Sequence, residues 1–188
     1  MSERPYHHGN LRATLLAAAE HTLREEGLDQ VSLRALARAA GVSHAAPRRH
    51  FPDRQALLGA LAADGYERLA DTLAAAIEQA GPDFGAQFRA GGTAFVRFAV
   101  DNAALLDLMF ASRPAAAKGA PERPYLIVGE MVRRGQESGR LAPGDPGHLR
   151  LLVLAMLQGI AELITSRRVP AGQAEDLVAA AAALFIRS

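Results

Sequence analysis

Apolar residues recur at three- and four-residue spacing along most of the chain, the period of helices with one buried face. Leu11, Leu15, Ala18, Ala19 and Leu23 predict a first helix, from a cap at Asn10 to about Glu26, with Gly27 ending it. Leu33, Leu36, Ala37 and Ala40 predict a second, short helix after Ser32, and Gly41 then supplies the freedom for a tight turn. A third short helix is expected from a cap at Ser43 to Phe51, with Pro47 near its first turn. Asp53 caps a long helix to about Ala80 with the stripe Leu57, Leu58, Leu61, Leu69, Leu73 and Ile77, which Gly81 and Pro82 stop. Further helices are expected over about 84–101, 102–112, 121–138, 145–167 and 171–187. The stretch from Ser112 to Arg123, with Pro114, Lys118, Gly119 and Pro121, reads as a mobile loop.

Composition agrees with the pattern. The 188 residues are 49% hydrophobic, enough for one compact domain or two small ones and incompatible with disorder. Alanine (40) and leucine (25) far outnumber valine, isoleucine and threonine together (19), which predicts an all-α protein. The longest uninterrupted apolar run, Leu177 to Ile186, is about half of the ~20 residues a spanning helix needs, so no membrane span is expected. There is no cysteine, which removes disulfides, thiolate zinc sites and cysteine nucleophiles. Glu3, Arg4, His7 and His8 stand where a signal peptide would need apolar residues, and a cytoplasmic location is expected.

The net charge of +1 conceals an asymmetry. Between residues 34 and 54, five arginines (Arg34, Arg38, Arg48, Arg49 and Arg54) oppose the single acid Asp53, whereas from Gln55 onward acids outnumber bases by one. Such a stretch is either a phosphate-binding surface or a solvated arginine face.

Two short helices about Gly41 make a helix-turn-helix whose second member can enter a DNA major groove. With Val42, Pro47 and Phe51 packed on the first two helices, Ser43, His44, Ala45, Arg48 and Arg49 face outward. Arg48 is the first choice to read a base, because a guanidinium can donate twice to guanine O6 and N7, whereas Ala45 could only touch a thymine methyl. An ordinary helical hairpin with a basic exterior fits the same spacing.

The run from Val31 to Leu58, VSLRALARAAGVSHAAPRRHFPDRQALL, resembles the DNA-binding domain of TetR-family transcriptional regulators, and Tyr6 to Arg12 together with His44 to Pro47 is similar to one subgroup. The resemblance is specific over about residues 10–60. It implies a helix-turn-helix DNA-binding domain over 1–52 and a ligand-binding and dimerisation domain over 53–188. It further implies a homodimer that represses transcription at a double-stranded DNA operator and lets go when a small-molecule effector binds. Carried over position by position, base contacts fall on His44, Ala45 and Arg48. Phosphate contacts fall on Ser32, Arg34, Ser43, Arg49, His50 and Arg54. Arg48 stands where the family commonly has tyrosine, which replaces an aromatic contact with a guanine fork.

His7, His8, His44 and His50 invite a metal or general-base reading, but adjacent residues on an extended arm point apart and no acidic cluster accompanies them. No metal site, cofactor or catalytic residue is therefore expected.

In the second domain, Phe84, Phe88, Phe95 and Phe98 share one helical stripe. The expected effector site comprises Phe88, Phe95, Phe98, Met109, Phe110, Met131 and Met156, and plain core packing accounts for the same residues. Arg97, Glu130, Gln158 and Glu162 are the polar candidates to orient a ligand. Leu149 to Ile164 is apolar almost all round, and Ala179 to Ala183 lets helices approach closely, so these last two helices are expected to cover one another across a dimer with Ala181 near its centre. A helical enzyme or small-molecule carrier using the aromatic interior is the alternative, and it leaves the basic helix-turn-helix unexplained.

Overall fold

The computed structural model describes residues 11–111 and 123–187. The expected cap at Asn10, the histidines His7 and His8 and the expected loop at 112–122 lie outside the described residues. Eight α-helices are formed among the described residues: α1 Leu11–Glu26, α2 Leu33–Ala39, α3 Arg54–Gln79, α4 Phe84–Asp101, α5 Ala103–Ala111, α6 Arg123–Glu137, α7 Pro146–Thr165 and α8 Ala174–Phe185. No strand is present among them, in agreement with the all-α expectation.

Local chemistry sets most of the boundaries. Asp53, Asp83 and Asp145 each accept a main-chain N–H from the first turn of α3, α4 and α7, at 2.8, 2.7 and 2.7 Å. Ser32 does the same for α2, from Ala35 N at 3.2 Å. At the far end of α2, Gly41 adopts φ +65° and its N–H meets the Arg38 carbonyl, while Val42 N–H reaches back to the Ala37 carbonyl. This pair of bonds is the Schellman closure, and it requires the left-handed conformation that glycine takes without penalty.

The expected third helix takes a different form. Residues 44–46 are turns and Pro47–Arg49 is a short 3₁₀ segment. Pro47 lacks the N–H that would reach the Ser43 carbonyl, and its ring crowds that carbonyl. The chain tightens instead, with Ala46 N–H on Ser43 O at 3.0 Å, Arg49 N–H on Ala46 O at 3.2 Å and a single α-type bond from Phe51 N–H to Pro47 O at 2.9 Å.

The described residues fall into two compact units. The first comprises those up to Gly65 together with α5 from Ala104. Its core includes Leu15, Ala19, Val31, Ala37 and Leu61, none of which has any exposed surface. Gly65 lets α3 approach α5 so closely that a Cβ there would stand 2.7 Å from Met109 Sδ.

The second unit comprises Tyr66 to Ala103 and α6, α7 and α8. Phe88, Met131, Val132, Leu141, Val153 and Ala182 form its core, with Phe84, Leu157 and Phe185 packed around them. Gly92 admits Val178 and Leu157 against the backbone of α4. A lone antiparallel bridge between Leu141 and Ile186, with Arg187 N–H on the Arg140 carbonyl at 2.8 Å, fastens the end of the chain.

Candidate nucleic-acid interface

The segment after Gly41 has one buried side and one exposed side. Pro47 and Phe51 are buried, Phe51 at 2% exposure, whereas Ser43, His44, Ala45, Arg48, Arg49 and His50 are all exposed. This is the sidedness expected from the sequence, although the segment is tightened rather than α-helical. Arg34 is exposed on α2, and Ser32 is half-buried with its hydroxyl already accepting the Ala35 N–H.

Phe51 is held from the other side by Arg12 of α1, whose guanidinium carbon lies 5.5 Å from the ring centroid. That contact is worth roughly 0.5–1 kcal/mol at an exposed site. It also sets an additional cation beside the basic segment. Sequence reasoning missed Arg12 as a site residue, although it closes the quoted run from Tyr6.

Arg54 has a different setting from Arg48 and Arg49. Its Nε donates to the Val31 carbonyl at 2.8 Å and its Nη2 to the Leu28 carbonyl at 2.6 Å. The first turn of α3 is thereby fastened to the connection that positions α2. The expected phosphate contact at Arg54 is overlaid by a structural function that no spacing pattern reveals.

Of the four histidines considered for a metal or proton-transfer group, His7 and His8 lie outside the described residues. His44 and His50 are exposed, and no cluster of three or more His, Asp or Glu side chains among the described residues could hold a metal ion.

In the second unit Phe88 and Met131 meet in the packed core. Phe95 and Phe98 are buried on α4 and Met156 is half-buried on α7. Met109 and Phe110 lie on α5, which groups with the first unit, and Met109 is fully buried beside Gly65. Among the polar candidates, Arg97 is exposed and pairs with Glu175, and Glu130 is exposed and pairs with Arg133, an interaction that holds its carboxyl below the ordinary value. Glu162 is exposed and Gln158 is half-buried. The polar side chain that sequence reasoning missed here is Arg150, half-buried within α7 and 6.0 Å from the Tyr125 ring. Its signal was a lone cation between Leu149 and Leu151 in an otherwise apolar run.

Helix α7 is long and apolar enough to cross a membrane by length and composition, although single polar residues interrupt its apolar run. Its sides differ. Val153, Ile160, Ala161 and Ile164 are buried within the chain, while Leu151 and Leu152 are 57% and 61% exposed on the side that also carries Ala155, Gly159 and Leu163. On α8 the exposed side carries Ala179, Ala180, Ala183 and Leu184, and Ala181 is turned inward at 8% exposure. Ala181, expected near the centre of a dimer interface, is instead packed inside its own chain, and the exposed positions of α8 include Ala180, Ala183 and Leu184.

Residues 15–61 match the profile of bacterial regulatory proteins of the tetR family, and residues 88–187 match that of a tetracyclin repressor-like carboxy-terminal domain. No curated protein matches the chain. Among solved structures, a protein of unknown function from Rhodococcus sp. RHA1 superimposes with a TM-score of 0.86 at 41% identity, with 97% of each chain covered. A TetR-family transcription regulator from Marinobacter aquaeolei VT8 superimposes at 0.75 with 17% identity, over 96% of this chain and 97% of the other. A bacterial regulatory protein of the tetR family from Rhodococcus RHA1 gives 0.70 and 17%, over 93% and 94%. The latter two likenesses bear on the fold alone.

Proposed function

Because the chain belongs to the tetR family of bacterial regulatory proteins and is a DNA-binding transcriptional regulator, we propose that it is a homodimeric repressor that an effector releases from a two-fold operator. The observation that carries this is the exposed segment from Ser43 to His50, mounted on buried Pro47 and Phe51 and bearing Arg48 and Arg49. In each half-site Arg48 forks onto a guanine, flanked by His44 and Ala45. Ser32, Arg34, Ser43, Arg49 and His50 hold the phosphates, with Arg12 added to that set by its position over Phe51.

The exposed apolar sides of α7 and α8 supply the dimer surface. A second copy covers leucines that the chain leaves open, and the small residues Ala155, Gly159, Ala180 and Ala183 allow close helix contact. The effector binds in the second unit, near Phe95, Phe98, Met131 and Met156. It favours states in which the two recognition segments no longer match major grooves about 34–36 Å apart, and each tenfold loss of DNA affinity needs about 1.4 kcal/mol of differential binding. The chain performs no catalytic step and works in the cytoplasm, where its DNA lies.

Fluorescence anisotropy with random duplex DNA over a salt series tests the reading. A DNA-binding dimer binds at low salt and loses affinity linearly in log–log coordinates as salt rises. A helical enzyme or carrier shows no such binding.

A further inference from the structure

Arg150 and Arg140 differ in their surroundings from the exposed arginines of the second unit. Arg97, Arg123 and Arg133 are exposed and paired with carboxylates, and Arg134 donates to Gln87. Arg150 is half-buried, its Nε is closed to solvent, and neither a hydrogen-bond acceptor nor a carboxylate meets it among the described residues. A guanidinium stays charged at every physiological pH, and an N–H of it withdrawn from water is costly unless an acceptor replaces the water. The Tyr125 ring, 6.0 Å away, supplies only a weak substitute. Arg140 has a similarly enclosed Nε, but a Cβ at Gly85 would stand 3.2 Å from Asp83 Oδ2, 3.3 Å from Arg89 Nη1 and 3.9 Å from Arg140 Nη2, so that guanidinium shares its side with a second cation as well as an acid.

The space beside Arg150 is open on one side. Gly129 of α6 presents no side chain, and a Cβ built there would have a single neighbour within 4 Å, Arg150 Nη1 at 3.7 Å. The notch adjoins the buried Tyr125, whose ring lies 6.3 Å from that of Tyr66. One cation beside a mostly covered tyrosine ring suits a ligand with one charged end and an apolar body.

We propose that Arg150 and the notch at Gly129 bind the anionic group of a small organic monoanion, a carboxylate with an aromatic or aliphatic body lying along Tyr125. The effector role of that ligand rests on the function proposed above, whereas the binding site does not.

Isothermal titration of the full-length protein with benzoate, octanoate, benzyl alcohol, 1-octanol and inorganic phosphate tests the assignment. Saturable binding of benzoate or octanoate is expected, at least tenfold tighter than the matching alcohol and than phosphate. Arg150→Gln should abolish that preference. Gly129→Leu, which keeps the cation and fills the notch, should weaken the acids by a similar factor, and it decides the matter if Arg150→Gln fails to fold by circular dichroism. Equal binding of acid and alcohol, equal binding of phosphate, an unchanged preference in the folded variants, or no binding of either acid overturns the proposal. Operator affinity measured with the bound acid separates the two claims. Binding without release sinks the effector role and leaves the site standing, while release by an alcohol with no acid preference does the reverse.

Discussion

The guanidinium of Arg54 donates to the carbonyl of Val31 at 2.8 Å, joining the start of α3 to the residue before the cap of α2. Val31 is fully buried, so its main chain is fixed by packing on one side and by this bond on the other. Arg54→Ala should lower the unfolding free energy by about 1–2 kcal/mol, since it removes charge-assisted bonds to two carbonyls. Operator affinity should fall with it through loosened positioning of α2. Arg49→Ala should weaken DNA binding to a similar degree with no change in urea unfolding, and equal stability losses in the two variants would contradict the distinction.

Two glycines inside α3 have opposite prospects. A Cβ at Gly59 meets nothing within 4 Å, so Gly59→Ala should stabilise the chain by about 0.5–1 kcal/mol through helix propensity alone. A Cβ at Gly65 would meet Met109 Sδ at 2.7 Å and Leu105 Cγ at 3.2 Å, and Met109 is fully buried with nowhere to retreat. Gly65→Ala should therefore destabilise despite the better propensity, by about 1–3 kcal/mol as overpacked cores do. Thermal unfolding of both variants checks the sign of each.

Assembly is tested on the exposed sides of α7 and α8. Leu152→Glu or Ala183→Glu places a carboxylate where the second copy should pack, and should raise the dimer dissociation constant at least about 100-fold while each chain stays folded. Ala181→Glu buries its charge inside the chain and should lower folding stability instead. Analytical ultracentrifugation with circular dichroism separates these outcomes. A wild-type monomer at micromolar concentration would remove the basis of the dimer.

Asp145 caps α7, and main-chain N–H donation from Gly147 and then His148 holds its carboxyl below the ordinary aspartate value. A depressed carboxyl contributes stability that is present above the ordinary value and is lost as pH falls through the lower folded value. Acid unfolding should therefore gain a component below the usual aspartate range that Asp145→Asn removes, since a neutral cap does not titrate. An unchanged acid transition in Asp145→Asn would contradict it.

Much of the fold was legible because its signals are local. Gly27, Gly41 and Gly81 all adopt positive φ at the ends of helices, and Asp53 caps α3 as its place before an apolar stripe indicated. The segment after Gly41 was legible in sidedness and not in geometry, because Pro47 is far enough into it to remove a helical bond while still packing as an apolar residue. Helix α7 gave no direction to its inner face, since leucines surround it and only its neighbours decide which are covered. The partners of Arg54 are main-chain carbonyls, which every residue carries and no pattern marks. Arg150 reads as an interruption of an apolar run, and its neighbours Tyr125 and Gly129 belong to another helix.

Selection of bound sites from a pool of randomised duplexes, carried out with the wild type and with Arg48→Ala, tests the central claim most directly. The wild type should return a two-fold motif with a fixed guanine in each half-site. Arg48→Ala should keep the motif but lose preference at that position, at a cost of about 1–3 kcal/mol on the original site. No enrichment by the wild type, or an identical motif from both proteins, would contradict the assignment of the exposed arginine segment as the reader of an operator.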